Sequence, residues 1–243
     1  MIQVGHVQEI RRYPVKSMAG VSVNSASLGW HGLEGDRRFA LRRIGADNGF
    51  PWLSASKLPE LLLYQPVGLD ESAGEPLPTH VLTPGGSQFE LRSAELTFEI
   101  AGLFRDDVEM MQLKHGIFDE APISVISHST IRGIGRDAGL MEDLDRRRFR
   151  ANILLETETD EPFLEEDWVG GTLVFGDSDT AGPAVHVTMP DVRCVMINFD
   201  PDTAAKDARI MKTVVNLNQT NAGVYATVVR TGVISVGDRV RLM

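Results

Sequence analysis

The sequence predicts a mainly β fold with short helices (α+β), in which an N-terminal β-barrel-like unit precedes a second β-barrel domain. Two observations carry that expectation. Short runs of β-type residues bounded by Gly and Pro recur along the whole chain, and helical spacing is too scarce for the crossovers of a doubly wound sheet. In chain order, "VGHVQEIRRYPV", "GVSVNSASLG", "RRFALRR" and "LLLYQPVGL" read as strands. "VLTPGGSQFELR" reads as a hairpin turned by Pro84, Gly85 and Gly86. The period then changes: in "SAELTFEIAGLF", Leu96, Ile100, Leu103 and Phe104 recur at helical spacing behind a Ser93 cap. This puts a boundary near residue 92 and divides the chain into 1–92 and 93–243. Beyond it, "APISVIS" is a strand, "STIRGIGRDAG" a short helix, and "RFRANILLET", "GGTLVFG" and "AVHVTM" are strands. "AAKDARIMKTVV" is a helix with Ala208, Met211, Val214 and Val215 on one face, and "GVYATVVRTGVI" and "DRVRLM" close the fold.

Composition removes several classes of function. With 42% hydrophobic and 24% charged residues, the chain has the make-up of a soluble globular protein. No apolar run reaches the roughly 20 residues of a membrane span, and "MIQVGHVQEIRRYPVK" lacks the pattern of a signal peptide, so the expectation is a cytoplasmic protein with no membrane partner. A single cysteine excludes an internal disulfide, a Cys-rich zinc site and an iron–sulfur cluster. The formal charge of −10 argues against nucleic acid as a partner, so any cationic patch must be local.

Several motifs have plain readings. "GIGRDAG" is one residue too long for a dinucleotide fingerprint and reads as a helix that ends in glycine. "SHS", Ser127 to Ser129, lacks the elbow of a serine hydrolase and reads as a strand end with Ser129 as a helix cap. The six histidines lack zinc-hydrolase spacing. In "DRRRFRAN", Arg146 and Arg147 read as solvated charges paired with the acids of "MEDLD". Arg150 reads instead as entering a strand, with Phe149 and Ala151 on the other face and its planar fork offered to a phosphate or carboxylate.

In "YPVKSMAG", Pro14 sets a bend, and Lys16 and Ser17 follow in a Gly-bounded loop that can meet an anion; on spacing alone, a solvated turn lysine is the plainer reading. Arg37 and Arg38 are adjacent, so on a strand they would point to opposite faces and one of them can face a pocket. Cys194 stands in "MPDVRCVMINFDPDT". Free cysteine is usually a small buried hydrophobe, whereas Arg193 beside it and the loop-like flanks favour a thiolate. Residue types alone leave a core thiol, a nucleophile and a soft metal ligand open.

Together, "YPVKSMAG", "LEGDRRFAL", "PISVISHST", "RRFRANILLE", "FLEEDWVGGTLVFG", "VRCVMINFDPDT" and "ISVGDRVRL" resemble, in order and over nearly the whole chain, the MOSC family in the form with an N-terminal β-barrel domain. The resemblance implies a molybdenum cofactor, a molybdopterin with bound Mo, to which Cys194 supplies the protein thiolate. It also implies that Lys16, Ser17, Arg38 and Arg150 hold the phosphate and pterin. Asn152, Ser127, His128 and Ser129 would lie nearby, with Arg193 and Tyr225 as further cofactor contacts. The activity it implies is reduction of small N-hydroxylated substrates such as hydroxylamines, amidoximes and N-hydroxylated bases, with electrons from a separate donor protein because no fused ferredoxin follows "RLM". The alternative is a non-catalytic carrier of cofactor or sulfur. Ala204 stands where the family often has glycine, and Val195, Met196 and Ile197 follow the cysteine without a hydroxyl. "DWVGGTLVFG" reads as structural, with Trp168 packing and the glycines turning the barrel.

Overall fold

The computed structural model describes residues 1–46, 49–70, 72–116, 120–140, 143–177 and 181–243. The first half carries β1 (Ile2–Arg12), β2 (Val21–Val23), β3 (Ser25–Gly29), β4 (Gly32–Leu33), β5 (Phe39–Arg43), β6 (Gln65–Val67), β7 (His80–Leu82), β8 (Gln88–Glu90), α1 (Ala94–Phe104) and β9 (Val108–Gln112). The second carries β10 (Ile123–Ser127), α2 (His128–Asp137), β11 (Ile153–Thr157), β12 (Thr172–Phe175), β13 (Ala184–Val192), α3 (Ala208–Asn218), β14 (Asn221–Arg230), β15 (Gly232–Ser235) and β16 (Arg239–Leu242). No helix among the described residues is long and apolar enough to cross a membrane.

Seven strands close into a barrel in the order β11, β10, β14, β13, β12, β16, β1, and β1 pairs back onto β11. Only β10 and β11 run parallel, joined by the crossover through α2. Alternation along the strands fills the interior: Ile123 and Val125, Ile153 and Leu155, Val185 and Val187, and Val224 and Ala226 belong to one core with Val7, Leu173 and Val240. The alternate residues Ile126 and Leu154 lie in a second core with Ile131 and Ile134 of α2 and Ile210 and Val214 of α3. Being covered on both faces explains why β10 is buried throughout. A third core gathers Phe39 and Leu41 of β5, Leu61, Tyr64, Val81 of β7, and Leu96 and Ile100 of α1. Trp168 packs in the barrel core, and Gly170 takes φ +87 just after it.

Several local expectations are corrected. Of "LLLYQPVGL", Leu61–Leu63 end the 3-10 turn Pro59–Leu63 and only Gln65–Val67 is a strand, because the fixed φ of Pro59 suits the start of a helical turn. Of "RFRANILLET", Arg148 and Phe149 end the 3-10 turn Arg146–Phe149, which is capped by Asp145, whose side chain accepts from the Arg147 N–H. The cap of α2 is Ser127 rather than Ser129, and its hydroxyl accepts from the Thr130 N–H at 3.1 Å. Helix α3 starts only after Asp207, and it buries Ile210 and Val214 while Val215 is exposed. Likewise Leu103 of α1 is exposed, and the helix is anchored by Leu96 and Ile100.

One carboxyl is buried under α2. Oε1 of Glu165 accepts from the Ser127 N–H at 3.1 Å, and Oε2 accepts from Ser127 Oγ at 2.8 Å and Thr130 Oγ1 at 3.0 Å. Burial pushes its pKa up, and these donors oppose the rise. A carboxyl whose pKa is raised on folding binds more protons in the folded state, so its contribution to stability falls as pH climbs from the ordinary carboxylate value through the raised one. The melting temperature of Glu165→Gln relative to wild type is therefore expected to increase as pH is raised above the ordinary carboxylate range. A pH-independent difference in paired thermal melts would contradict this.

Candidate functional site

A cavity of about 610 Å³ opens where four stretches meet: the loop after β1, the turn before β5, the 3-10 turn before β11, and the exit of β13. Its wall carries Lys16, Arg37, Arg148, Arg150 and Arg193 against the carboxylates Glu120 and Asp191. That surplus of positive charge, in a chain of formal charge −10, is the local cationic patch an anion would need.

Backbone strain collects at the same place. Eight described non-glycine residues have positive φ, and three of them, Ser17 (φ 70), Arg37 (φ 47) and Arg150 (φ 53), line this cavity. A left-handed residue with a side chain costs about 1–2 kcal/mol, so the surrounding bonds must hold it. For Arg37 and Arg150 they do so through Tyr13, Asp36 and Asn152. Arg150 lies 4.1 Å over the Tyr13 ring and Arg37 lies 5.3 Å over the same ring. Arg150 Nη1 donates to Met18 O at 2.8 Å, and Arg37 Nη2 donates to Arg150 O at 3.1 Å. Asp36 accepts from the Tyr13 N–H at 2.6 Å and pairs with Arg37 Nη1. Asn152 donates through Nδ2 to Asp36 Oδ2 at 3.1 Å and to Arg11 O at 3.3 Å, and its Oδ1 accepts from the Ser124 N–H at 3.2 Å. A buried, fully bonded network of this kind fixes β1, β10, β11 and the turn before β5 against one another.

Cys194 is exposed on the cavity wall, where it caps the 3-10 turn Val195–Asn198 just beyond the end of β13. The core-thiol reading is thereby excluded. Arg193 beside it turns inward: Nε donates to Ala222 O at 2.6 Å and Nη1 to Phe149 O at 2.7 Å. Nη2 lies 2.8 Å from Asp191 Oδ2, an ion pair by distance rather than an aligned hydrogen bond. Asp191 also accepts from Ser124 Oγ at 2.6 Å. Burial raises the Asp191 pKa, and Arg193 is the main group opposing that rise. The pair spans the chain just before the cysteine and pins it to β10 and β14.

Of the residues expected at the site, the structure brings Lys16, Ser17, Arg150, Arg193, Tyr225 and Cys194 together on this cavity. Asn152 stands behind the wall, bonded to the residues that shape it. Arg38 lies elsewhere: it donates to Leu113 O at 3.1 Å, pairs with Glu75 at 2.6 Å, and borders a separate cavity of about 690 Å³. Arg37 takes the wall because its left-handed backbone precedes β5, so the pair does not alternate as strand residues do. The same left-handed turn places Arg150 outside β11. Ser127, His128 and Ser129 do not line the cavity; Ser127 belongs to the Glu165 cluster, His128 Nδ1 lies 2.9 Å from Glu156, and Ser129 Oγ lies 3.2 Å from Thr157 Oγ1. Sequence reasoning passed over Arg148, Asp191 and Phe50, which had no signal beyond their proximity to the "RRFR" and "RC" motifs or to a glycine loop. Arg147 does pair with Asp145 of "MEDLD", but Arg146 pairs with Glu9 of β1, and Glu142 lies outside the described residues.

No curated protein matches this sequence. Among solved structures, the YuaD protein from Bacillus subtilis is similar with a TM-score of 0.53 at 14% identity, over 98% of this chain and 95% of that one, a likeness of fold. YiiM from Geobacillus stearothermophilus is similar over 50% of this chain and 54% of its own, at 22% identity and a TM-score of 0.35. Two family models divide the sequence between them: the MOSC N-terminal beta barrel domain matches residues 4–111, and the MOSC domain matches residues 112–241. The chain therefore belongs to the MOSC domain family, in the form that carries the MOSC N-terminal beta barrel domain.

Proposed function

We propose that this protein is a molybdenum-cofactor-dependent oxidoreductase that reduces N-hydroxylated compounds, with Cys194 as the protein's ligand to the metal. One observation carries the reading: the chain's only cysteine is exposed on a cavity that gathers five cationic side chains in an acidic protein. The residues present fit such a group. A phosphorylated pterin is an anion, and about 610 Å³ lies within the roughly 300–1,000 Å³ of cofactor and ligand pockets. In this reading Cys194 is the one protein ligand and the cofactor brings its own sulfur donors, to which a thiolate is a chemically matched soft partner.

The bound cofactor would supply the two-electron redox chemistry. The chain's own part is to bind, orient and exclude. Lys16, Ser17, Arg148 and Arg150 would hold the anionic portion, Arg150 in a fixed orientation set by Tyr13 and Met18. The Asp191–Arg193 pair keeps the segment before the cysteine from shifting, and so holds the sulfur in one position. The net reaction, R–NHOH + 2e⁻ + 2H⁺ → R–NH₂ + H₂O, takes two electrons, and their delivery by a donor protein in the cytoplasm is part of this proposal.

Protein from a host that makes the cofactor is expected to contain molybdenum and to reduce amidoximes with a chemically reduced viologen as donor. Cys194→Ala should abolish that reduction while changing stability by no more than about 0.5 kcal/mol, because the side chain is exposed. Wild-type turnover by this variant would rule out the ligand assignment, and molybdenum bound without any turnover would make the protein a carrier. Lys16→Gln should retain the cofactor roughly ten- to a hundredfold less tightly, the worth of one charge-assisted hydrogen bond. Unchanged molybdenum content after extensive dialysis would remove Lys16 from the cradle.

A further inference from the structure

The cavity that holds Cys194 has two chemically different sides. Four of its five cationic residues come from the loop after β1, the turn before β5 and the 3-10 turn before β11, whereas the exit of β13, which supplies Arg193 and Asp191, also brings a set of apolar side chains. Met189, Pro190 and Val192 at the end of β13, Met196 just after the cysteine, and Phe50 from a distant part of the chain all line the cavity. Three of these are large apolar side chains left open to water: Val192 is 61% exposed, Phe50 42% and Met189 39%. These side chains line the same cavity as Cys194, so an apolar group bound there would cover them.

We infer that this apolar lip is a substrate subsite, and that the preferred substrates are N-hydroxylated compounds with an extended apolar body rather than small or polar ones. The inference rests on the reductase reading and deepens it. Two segments about 140 residues apart in sequence converge on a single concavity that also contains Cys194, an arrangement that grips a small molecule from more than one side. The Lys16 ammonium lies 5.5 Å from the centroid of the Phe50 ring, so this ring joins the cationic residues to the apolar ones. Methionines at positions 189 and 196 are unbranched and polarizable, which suits a lip that accepts several apolar shapes. A substrate would direct its N–OH toward the sulfur and lay its hydrocarbon across Val192, Met189 and Phe50.

The test is a homologous series from acetamidoxime to octanamidoxime, assayed on the cofactor-loaded protein with a reduced viologen. For wild type, kcat/KM is expected to rise roughly threefold per added methylene until the lip is covered. In Val192→Ser and Met189→Ser, both at exposed positions, the ratio of kcat/KM for octanamidoxime to that for acetamidoxime should fall about tenfold within each variant. A second readout needs no turnover: the corresponding n-alkyl amides should protect Cys194 from iodoacetamide in the cofactor-free protein, better with each methylene and less well in the two variants. Turnover with no chain-length dependence in either readout would overturn the subsite and leave the reductase intact. Graded protection without turnover of any amidoxime would remove the reductase reading and keep the apolar subsite. A lip substitution that altered the KM for a protein electron donor and left the alkyl series unchanged would assign this surface to that donor instead.

Discussion

The pairing of β1 on both of its edges is the constraint on which the rest of the structure depends. On one side Ile2–His6 pair with β16, and on the other Gly5–Ile10 pair with β11, so that one strand closes a barrel otherwise built from the second half of the chain. Gly5 makes the approach possible: a β-carbon there would lie 2.1 Å from Glu156 O. With β1 locked into the wall, its continuation through Tyr13 to Ser17 has to arrive beside Arg150 and Asn152, which lead into the strand it pairs with. The cavity is thus a by-product of barrel closure, assembled where both family-matched regions supply backbone.

Charge is managed in the same region by burial with full pairing. Asp36 serves Tyr13, Arg37 and Asn152 at once, and Asp191 serves Ser124 and Arg193. Breaking such a set by removing one partner leaves an uncompensated buried charge, a loss of about 3–5 kcal/mol. That cooperativity is what holds Arg37 and Arg150 in left-handed backbone on the cavity wall. Rigidity there has a chemical use, since a metal ligand and an anion cradle have to be held at fixed separation.

Much of this fold was legible in the sequence because barrel strands obey a period of two, and Ile123/Val125 and Val224/Ala226 are read directly from it. Helix α1 was legible at its Ser93 cap, whereas α2 is capped two residues earlier than its sequence suggests and α3 begins behind Asp207. Misreadings fell where a single backbone turn breaks the period. Arg37 and Arg38 look like strand neighbours, yet φ at Arg37 is +47 and the strand begins only at Phe39. Arg150 looks like a strand start and is a left-handed cap. No local pattern announces either, because the conformation is imposed by Tyr13, Asp36 and Asn152, which come from other parts of the chain. The hydroxyl and acid cluster of Ser127, Thr130 and Glu165 was invisible for a similar reason: it joins residues 38 apart under one helix.

Register places Ile2 directly opposite Leu242. A nascent chain would hold its first strand ready long before the stave meant to lie beside it has been synthesised, and the ring of strands could be sealed only once residues 239–242 had cleared the ribosome. Until then β1 presents an unpaired edge that the growing polypeptide must keep from other chains. Closure of the barrel should accordingly come late in folding, governed by this long-range pairing.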